Sequence, residues 1–364
     1  MIVHSIIYYL HQFLYIVIIR IMVIKETYTG KGIKNVGVSL LLPTPTPTPT
    51  QPQPQPQTQS QPQPQPQTIG PNVGKRGIKN VGVSLLLPTP TPTQPQSQPQ
   101  PQPQPQTQSQ PQPIGNSIQI MFSKTVLSKS DINNIKSITK NIKNIFVHAS
   151  YQINIASPFI LTNDKKKLYN PALEILKKEI MYTKKIGGKG IIIHMGKNAG
   201  LKYDNDVVYN NMVNFIIQIF KNCNDKMIKT IILETPAGQG GEMCSNIAQF
   251  VEFILLFKSQ TFYDKLGICI DTCHIFQAGY DINDENIIND VHKLFEPVMD
   301  KIKLIHLNDS YHPVNSHKDR HANIGEGYIR IINMVKFIKP FIKRNVPLVL
   351  ETSPPFDTQL DKLK

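Results

Sequence analysis

Six short apolar runs in this sequence give way abruptly to a histidine or an acid. "IFVHAS" (145–150) reaches His148, "GIIIHMG" (190–196) reaches His194 and "TIILETP" (230–236) reaches Glu234. "GICIDTCH" (267–274) brings Asp271 and, three residues on, His274. "IKLIHLND" (302–309) reaches His306, followed downstream by "DRH" with Asp319 and His321, and "PLVLET" (347–352) reaches Glu351. For any one of these the bland reading is a polar loop residue; Asp271 alone could simply cap a helix. Taken together they offer five imidazoles and four carboxylates, a donor mixture that suits Zn²⁺ or Mn²⁺. The four cysteines, Cys223, Cys244, Cys269 and Cys273, form no CxxC pair, so neither a cysteine-built zinc site nor a disulfide framework has support. Charge sets the ion count. Two dications would neutralise four carboxylates, whereas three would leave a positive site suited to a hydroxide and a phosphodiester. Nine ligands at three or four per ion, one of them shared, also favour three.

Something must hold these residues together. The apolar runs have strand length, and between them lie segments such as "NPALEILKKEIMYTKKIG" with apolar residues at helical spacing. Buried strands alternating with helices predict a parallel sheet. Adding "SIQIMF" (117–122) and "NVGVSLLL" as the first strand gives eight βα units, the count of an α/β (β/α)₈ barrel (a TIM barrel). In such a barrel the C-terminal strand ends converge on one face, which is where the six ligand-bearing ends would meet.

The rest of the chain is different in kind. Residues 1–24 are largely apolar and long enough to span a bilayer, but no basic region precedes them, no cleavage site follows and Arg20 lies within. They read as an anchor or as an untranslated extension, Met22 being an alternative start. Residues 25–113 are rich in Pro, Gln and Thr, with 21 of the 30 prolines between Pro43 and Pro113. Pro-Thr and Pro-Gln alternation favours extended polyproline II and cannot bury a core, so this low-complexity region is expected to be a disordered spacer. Inside it "GIKNVGVSLLLPTPTPT" occurs twice, with strand-like segments at 32–42 and 77–87. Only one copy can fill a given slot, and the second, nearer the folded body at 114–364, is favoured. The net charge of +14 divides into +6 up to Pro113 and +8 beyond it, which fits a polyanionic partner or, equally, solvated lysine faces. Unpaired cysteines suggest a reducing, intracellular compartment, a viral cytoplasmic factory or virion being another setting, and a monomer is expected.

The segments "HASYQINIASP", "LETPAGQG", "CIDTCHIFQAGYD", "HLNDS", "DRHANIGEG" and "LETSPP" resemble those of endonuclease IV, the three-zinc apurinic/apyrimidinic (AP) endonucleases, and occur in order with matching spacing. The resemblance runs from about Ser117 to the C-terminus. It implies base excision repair on double-stranded DNA containing abasic sites, cut 5′ to the lesion to leave a 3′-hydroxyl and a 5′-deoxyribose phosphate. It implies three Zn²⁺, with Mn²⁺ an alternative at one or more positions. His148 and His194 would bind the first ion, with Glu234 bridging to the second. Asp271, His306 and Glu351 would complete the second, and His274, Asp319 and His321 would hold the third. Glu234 and Glu351 would be catalytic. Tyr151 would press into the DNA at the abasic gap. Gln152 stands where family members carry a Leu, which weakens that wedge. Lys197, Lys318 and Arg320 are expected phosphate contacts. A second departure is Ser84 on the first strand, where the family has a His, followed by the proline tract in place of a glycine-rich loop and helix.

Two other functions fit parts of the pattern. Sugar isomerases and epimerases share this barrel type with one or two metals; the Asp271/His274/Asp319/His321 set and the basic charge argue against them. A non-catalytic DNA-binding scaffold is disfavoured by the intact ligand set. "AGQGG" (237–241) lacks the GK[ST] of a phosphate loop and reads as backbone room beside Glu234.

Overall fold

In the computed structural model, the residues described are 80–86, 116–122, 126–161, 168–198, 200–223 and 227–363. Eight parallel strands close into a barrel: β1 (Val81–Leu86), β2 (Ser117–Met121), β3 (Asn144–His148), β4 (Gly190–Ile193), β5 (Ile231–Glu234), β6 (Leu266–Asp271), β7 (Ile302–His306) and β8 (Leu348–Leu350). Each pairs with its neighbours in sequence, and β1 closes the ring on β8 with Val81 opposite Leu348. The expected strands all form. The second copy of the repeat supplies β1, so the barrel draws its first strand from upstream of residue 114. The first copy, the apolar segment 2–24 and the proline tract lie outside the described residues. No described helix is long and apolar enough to cross a membrane.

The strands form here because their two faces have two apolar destinations. Successive side chains alternate between the barrel interior and the helical layer. Ile191, Ile193, Ile231, Leu233, Ile268 and Ile270 pack outward into the large core shared with the helices. That layer includes Pro171–Lys185, Asn205–Asn222 and Ile247–Leu255, which bury residues such as Leu176, Phe215 and Phe250. The other face forms a separate, smaller cluster of Phe146, Ile192, Ile232, Cys269, Leu304 and Val349, one residue from each of β3 to β8. Each stands two positions before one of His148, His194, Glu234, Asp271, His306 and Glu351. A period of two puts both members of each pair on the inner face, so an apolar floor lies one layer below a polar ring. Cys269 is therefore a packing residue, as the sequence suggested.

Beyond the strand ends, two short two-stranded ribbons, Ile160–Leu161 with Leu168–Tyr169 and Asp309–Ser310 with His321–Ala322, shape the loops. The second carries Asp319 and His321 back over the barrel mouth.

Candidate metal centre

The nine predicted ligands meet in three groups above the apolar floor, the first two sharing Glu234. His148, His194 and Glu234 form one, Glu234, Asp271, His306 and Glu351 a second, and His274, Asp319 and His321 a third. In the first, the Nε2 atoms of His148 and His194 are 3.1 Å apart, and they lie 3.3 and 3.4 Å from Glu234 Oε2. Atoms bound tetrahedrally to zinc at ordinary bond lengths stand about 3.3–3.6 Å from one another, so this triangle has nearly the right edge. In the third group, Asp319 Oδ1 is 3.1 Å from His274 Nε2 and 3.2 Å from His321 Nε2. Both of those nitrogens are buried and lack a partner in hydrogen-bonding geometry, as metal ligands would. In the second group, Glu234 Oε1 is 2.6 Å from His306 Nδ1, which is itself 3.2 Å from Glu351 Oε2 and 3.7 Å from Asp271 Oδ2. The two oxygens of Glu234 thus face two different groups.

Hydrogen bonds behind the ring fix which nitrogen of each imidazole faces inward. His148 Nδ1 donates to the Ala149 carbonyl at 2.9 Å, and His274 Nδ1 to that of Thr235 at 2.8 Å. Both leave Nε2 as the nitrogen that faces the ring. His306 is reversed: Nε2 donates to Gln119 Oε1 at 2.7 Å, which presents Nδ1. Outer partners of this kind set the tautomer and basicity of metal-binding histidines. Asp271 is both things its sequence context allowed. One oxygen caps the helix Thr272–Gln277 by accepting from His274 N at 2.9 Å, while the other faces the ring.

Gln119 and Asn308 also belong to this cluster, and the sequence alone did not single them out. Gln119 Nε2 donates to Glu351 Oε1 at 2.6 Å, so one amide ties β2 to the candidate ligands His306 on β7 and Glu351 just past β8. Asn308 Nδ2 donates to Asp271 Oδ2 at 2.7 Å and Glu351 Oε2 at 3.2 Å, and its Oδ1 accepts from Glu351 N at 2.9 Å. The signal available was a polar residue at an inward position of a buried run. Asn308→Ala is expected to weaken metal retention roughly 10–100-fold, the usual cost of losing an outer-shell partner, read by chelator competition on the purified protein. Retention equal to the parent protein would remove Asn308 from this role.

The bowl favours positive charge. Burial disfavours the charged form of Glu234, yet His306, His194 and His148 together hold its carboxyl well below the usual range. Burial also opposes protonation of His274 and His306. Asp271 and Asp319 overcome this at His274, and the carboxylates of Glu351 and Glu234 do so at His306, raising both well above an ordinary histidine. His194 goes the other way: burial, partly offset by Glu234, lowers it to about 4, leaving a neutral imidazole fit to donate a lone pair. Burial pushes the thiols of Cys269 and Cys273 up to about 12, so neither is a thiolate.

The rim carries the remaining predicted residues. Tyr151 is 66% exposed, with its ring centroid 5.5 Å from those of both His148 and His194. Gln152, Lys197, Lys318 and Arg320 are exposed on the adjoining loops. The room left by the AGQGG glycines is used from across the barrel rather than by Glu234. Gly238, at φ +83°, has no space for a Cβ because His317 Nδ1 would be 2.5 Å away, and Gln239 Oε1 accepts from Asp319 N at 3.1 Å. Gln277 stitches the same loop from below, donating to Ser310 Oγ and the His312 carbonyl and accepting from Ser316 Oγ and Lys318 N.

Comparison with known proteins agrees with this architecture. A family profile described as a xylose isomerase-like TIM barrel matches residues 115–363. A protein of Mesomycoplasma hyopneumoniae named "Probable endonuclease 4" is 35% identical over 211 residues, 58% of this chain and 70% of that one. The crystal structure of endonuclease IV from Thermus thermophilus superposes with a TM-score of 0.51 at 18% identity, covering 68% of this chain and 86% of that one. A D-tagatose 3-epimerase-like protein superposes at 0.52 and 19%, over 68% and 86%. At such identities the structural likenesses speak for the fold alone.

Proposed function

This chain belongs to the endonuclease IV family of xylose isomerase-like TIM barrels, and from that premise we propose that it is an AP endonuclease of base excision repair. It hydrolyses the phosphodiester 5′ to an abasic site in duplex DNA, leaving a 3′-hydroxyl and a 5′-deoxyribose phosphate. The observation that carries this reading is the third group. The buried Nε2 atoms of His274 and His321 converge on Asp319 Oδ1 outside hydrogen-bonding geometry, beside two further groups that share Glu234. A third ligand set is more than a one- or two-metal sugar isomerase requires.

Three Zn²⁺, or Mn²⁺ at one or more positions, would supply a water acidified to near-neutral pKa and positive charge for the phosphoryl oxygens. The chain's own residues do the rest. Glu234 holds the first two positions in fixed relation through its two oxygens. Glu351 is gripped on one side by Gln119 and on the other by Asn308, and is placed to orient the attacking water. His194, kept neutral, contributes a lone pair and no competing charge. Tyr151 stands above His148 and His194, where an aromatic face can fill the gap beside a flipped-out sugar; the missing base lowers the cost of that flip. Lys197, Lys318 and Arg320 meet the phosphates on either side.

The test pairs elemental analysis of the purified protein with incision of a duplex bearing a single abasic site. Near three zinc or manganese ions per chain and a single 5′ cut are expected. One or two ions, no incision, and ketose epimerisation would replace this reading with the sugar-epimerase one.

A further inference from the structure

The helix Pro171–Lys185 buries Ala172, Leu173, Leu176 and Ile180 in the core it shares with the strands. Glu179 is buried with them, at 4% exposure. Burial pushes its carboxyl up to about 7, and the Ser150 N–H and His148 offset only part of that penalty. A leucine of similar volume would fill the site without desolvating a carboxyl. Packing therefore does not account for an acid at this position, and the contact it makes points to its use. Glu179 Oε2 accepts from Ser150 N at 3.2 Å.

Ser150 is the hub of the turn that presents Tyr151. While its N–H goes to Glu179, its Oγ accepts from Gln152 N at 3.3 Å and its carbonyl accepts from Ile153 N at 3.0 Å. Farther along, Asn154 fastens the same loop to the exit of β4, donating to the Lys197 carbonyl at 2.9 Å and accepting from Lys197 N at 3.0 Å. One side of the turn is thus tied to the helical layer through Glu179 and the other to Lys197. Between them the exposed Tyr151 ring sits 5.5 Å from those of His148 and His194. We propose that Glu179 is a positioning residue for Tyr151, fixing through the Ser150 N–H the turn that holds the ring at the rim. This rests on the reading of Tyr151 as the residue that meets the abasic gap. A ring set in place beforehand need not be ordered at the moment of binding, and that ordering is what the buried carboxyl saves. Loss of Glu179 would loosen the turn but leave the fold, because Asn154 still holds the other side and the helix keeps its apolar contacts.

Glu179→Leu, Glu179→Gln, Tyr151→Ala and the combination of Glu179→Leu with Tyr151→Ala test this in the full-length protein. Melting temperature, metal content and affinity for abasic and intact duplex are measured for each. Glu179→Leu is expected to melt at or above the parent, as removal of a buried acid from a functional site commonly allows, and to keep its metal. It should nevertheless lose roughly three- to tenfold of the parent's preference for abasic over intact duplex. In Glu179→Gln the amide oxygen can still accept from Ser150 N, so the preference should return. The combined variant should be no worse than Tyr151→Ala alone, since Glu179 acts through that ring. A Glu179→Leu protein that keeps the preference while Tyr151→Ala loses it would overturn the proposal. So would additive losses in the combined variant, or a Glu179→Leu protein that loses stability and metal together, which would make Glu179 a structural residue. A parent protein with no preference for abasic duplex, or a Tyr151→Ala variant that keeps it, would instead sink the reading beneath, and this proposal with it.

Discussion

Glu234→Ala is expected to abolish incision of abasic DNA and to lower the metal content by more than one ion per chain. The carboxylate faces two ligand groups at once, Oε2 toward His148 and His194 and Oε1 toward His306. Its loss takes a charge and a donor from both. The remaining histidines then crowd together with less negative charge to balance bound dications. Asp319→Ala makes the useful contrast, because Asp319 serves only the group it forms with His274 and His321 and should cost one ion. Elemental analysis of both variants after dialysis separates them. A Glu234→Ala protein with the parent's metal content would show that Glu234 bridges nothing.

The second large effect is at the rim. Tyr151→Ala should weaken binding to abasic duplex by ten- to a hundredfold, consistent with about 1–3 kcal/mol for loss of one aromatic stacking partner, while metal content and melting temperature stay unchanged. A buried tyrosine would behave otherwise, losing stability and weakening specific and non-specific DNA binding alike. The exposed ring, tilted against His148 and edge-on to His194, favours the first outcome. Gln152→Leu, which restores bulk beside it, should be neutral or tighten binding. Equal loss of affinity for abasic and intact duplex in Tyr151→Ala would refute the wedge.

What the sequence disclosed and what it concealed have separate physical causes. The strand ends were legible because a period of two places each candidate ligand directly above an apolar partner, as in Ile232 and Glu234 or Leu304 and His306. Those runs keep their pattern whatever their neighbours are. Gln119 and Asn308 carry no such mark. An amide between Ile118 and Ile120 has no spacing rule of its own, and its value lies in meeting His306 and Glu351, residues distant in sequence. Asp271 showed a limit of another kind. Capping and metal ligation looked like competing explanations, yet a carboxylate has two oxygens, and here each takes one task. The glycines of AGQGG were read against their sequence neighbour Glu234, while the residues needing the space, His317 and Asp319, arrive from a loop after β7.

The pairing of β1 with β8 sets an order of events during synthesis. A nascent chain that has emerged as far as residue 340 already holds seven barrel strands and every candidate ligand except Glu351. Its ring is still open, because Val81 has no Leu348 to meet. Contacts of such long sequence separation form late and slowly. The last candidate ligand and the last strand come off the ribosome together, so a half-made chain cannot present the complete second metal position proposed above. The proposed nuclease would therefore become competent in one step, when the barrel shuts, and no partial product would carry an unguarded cutting site.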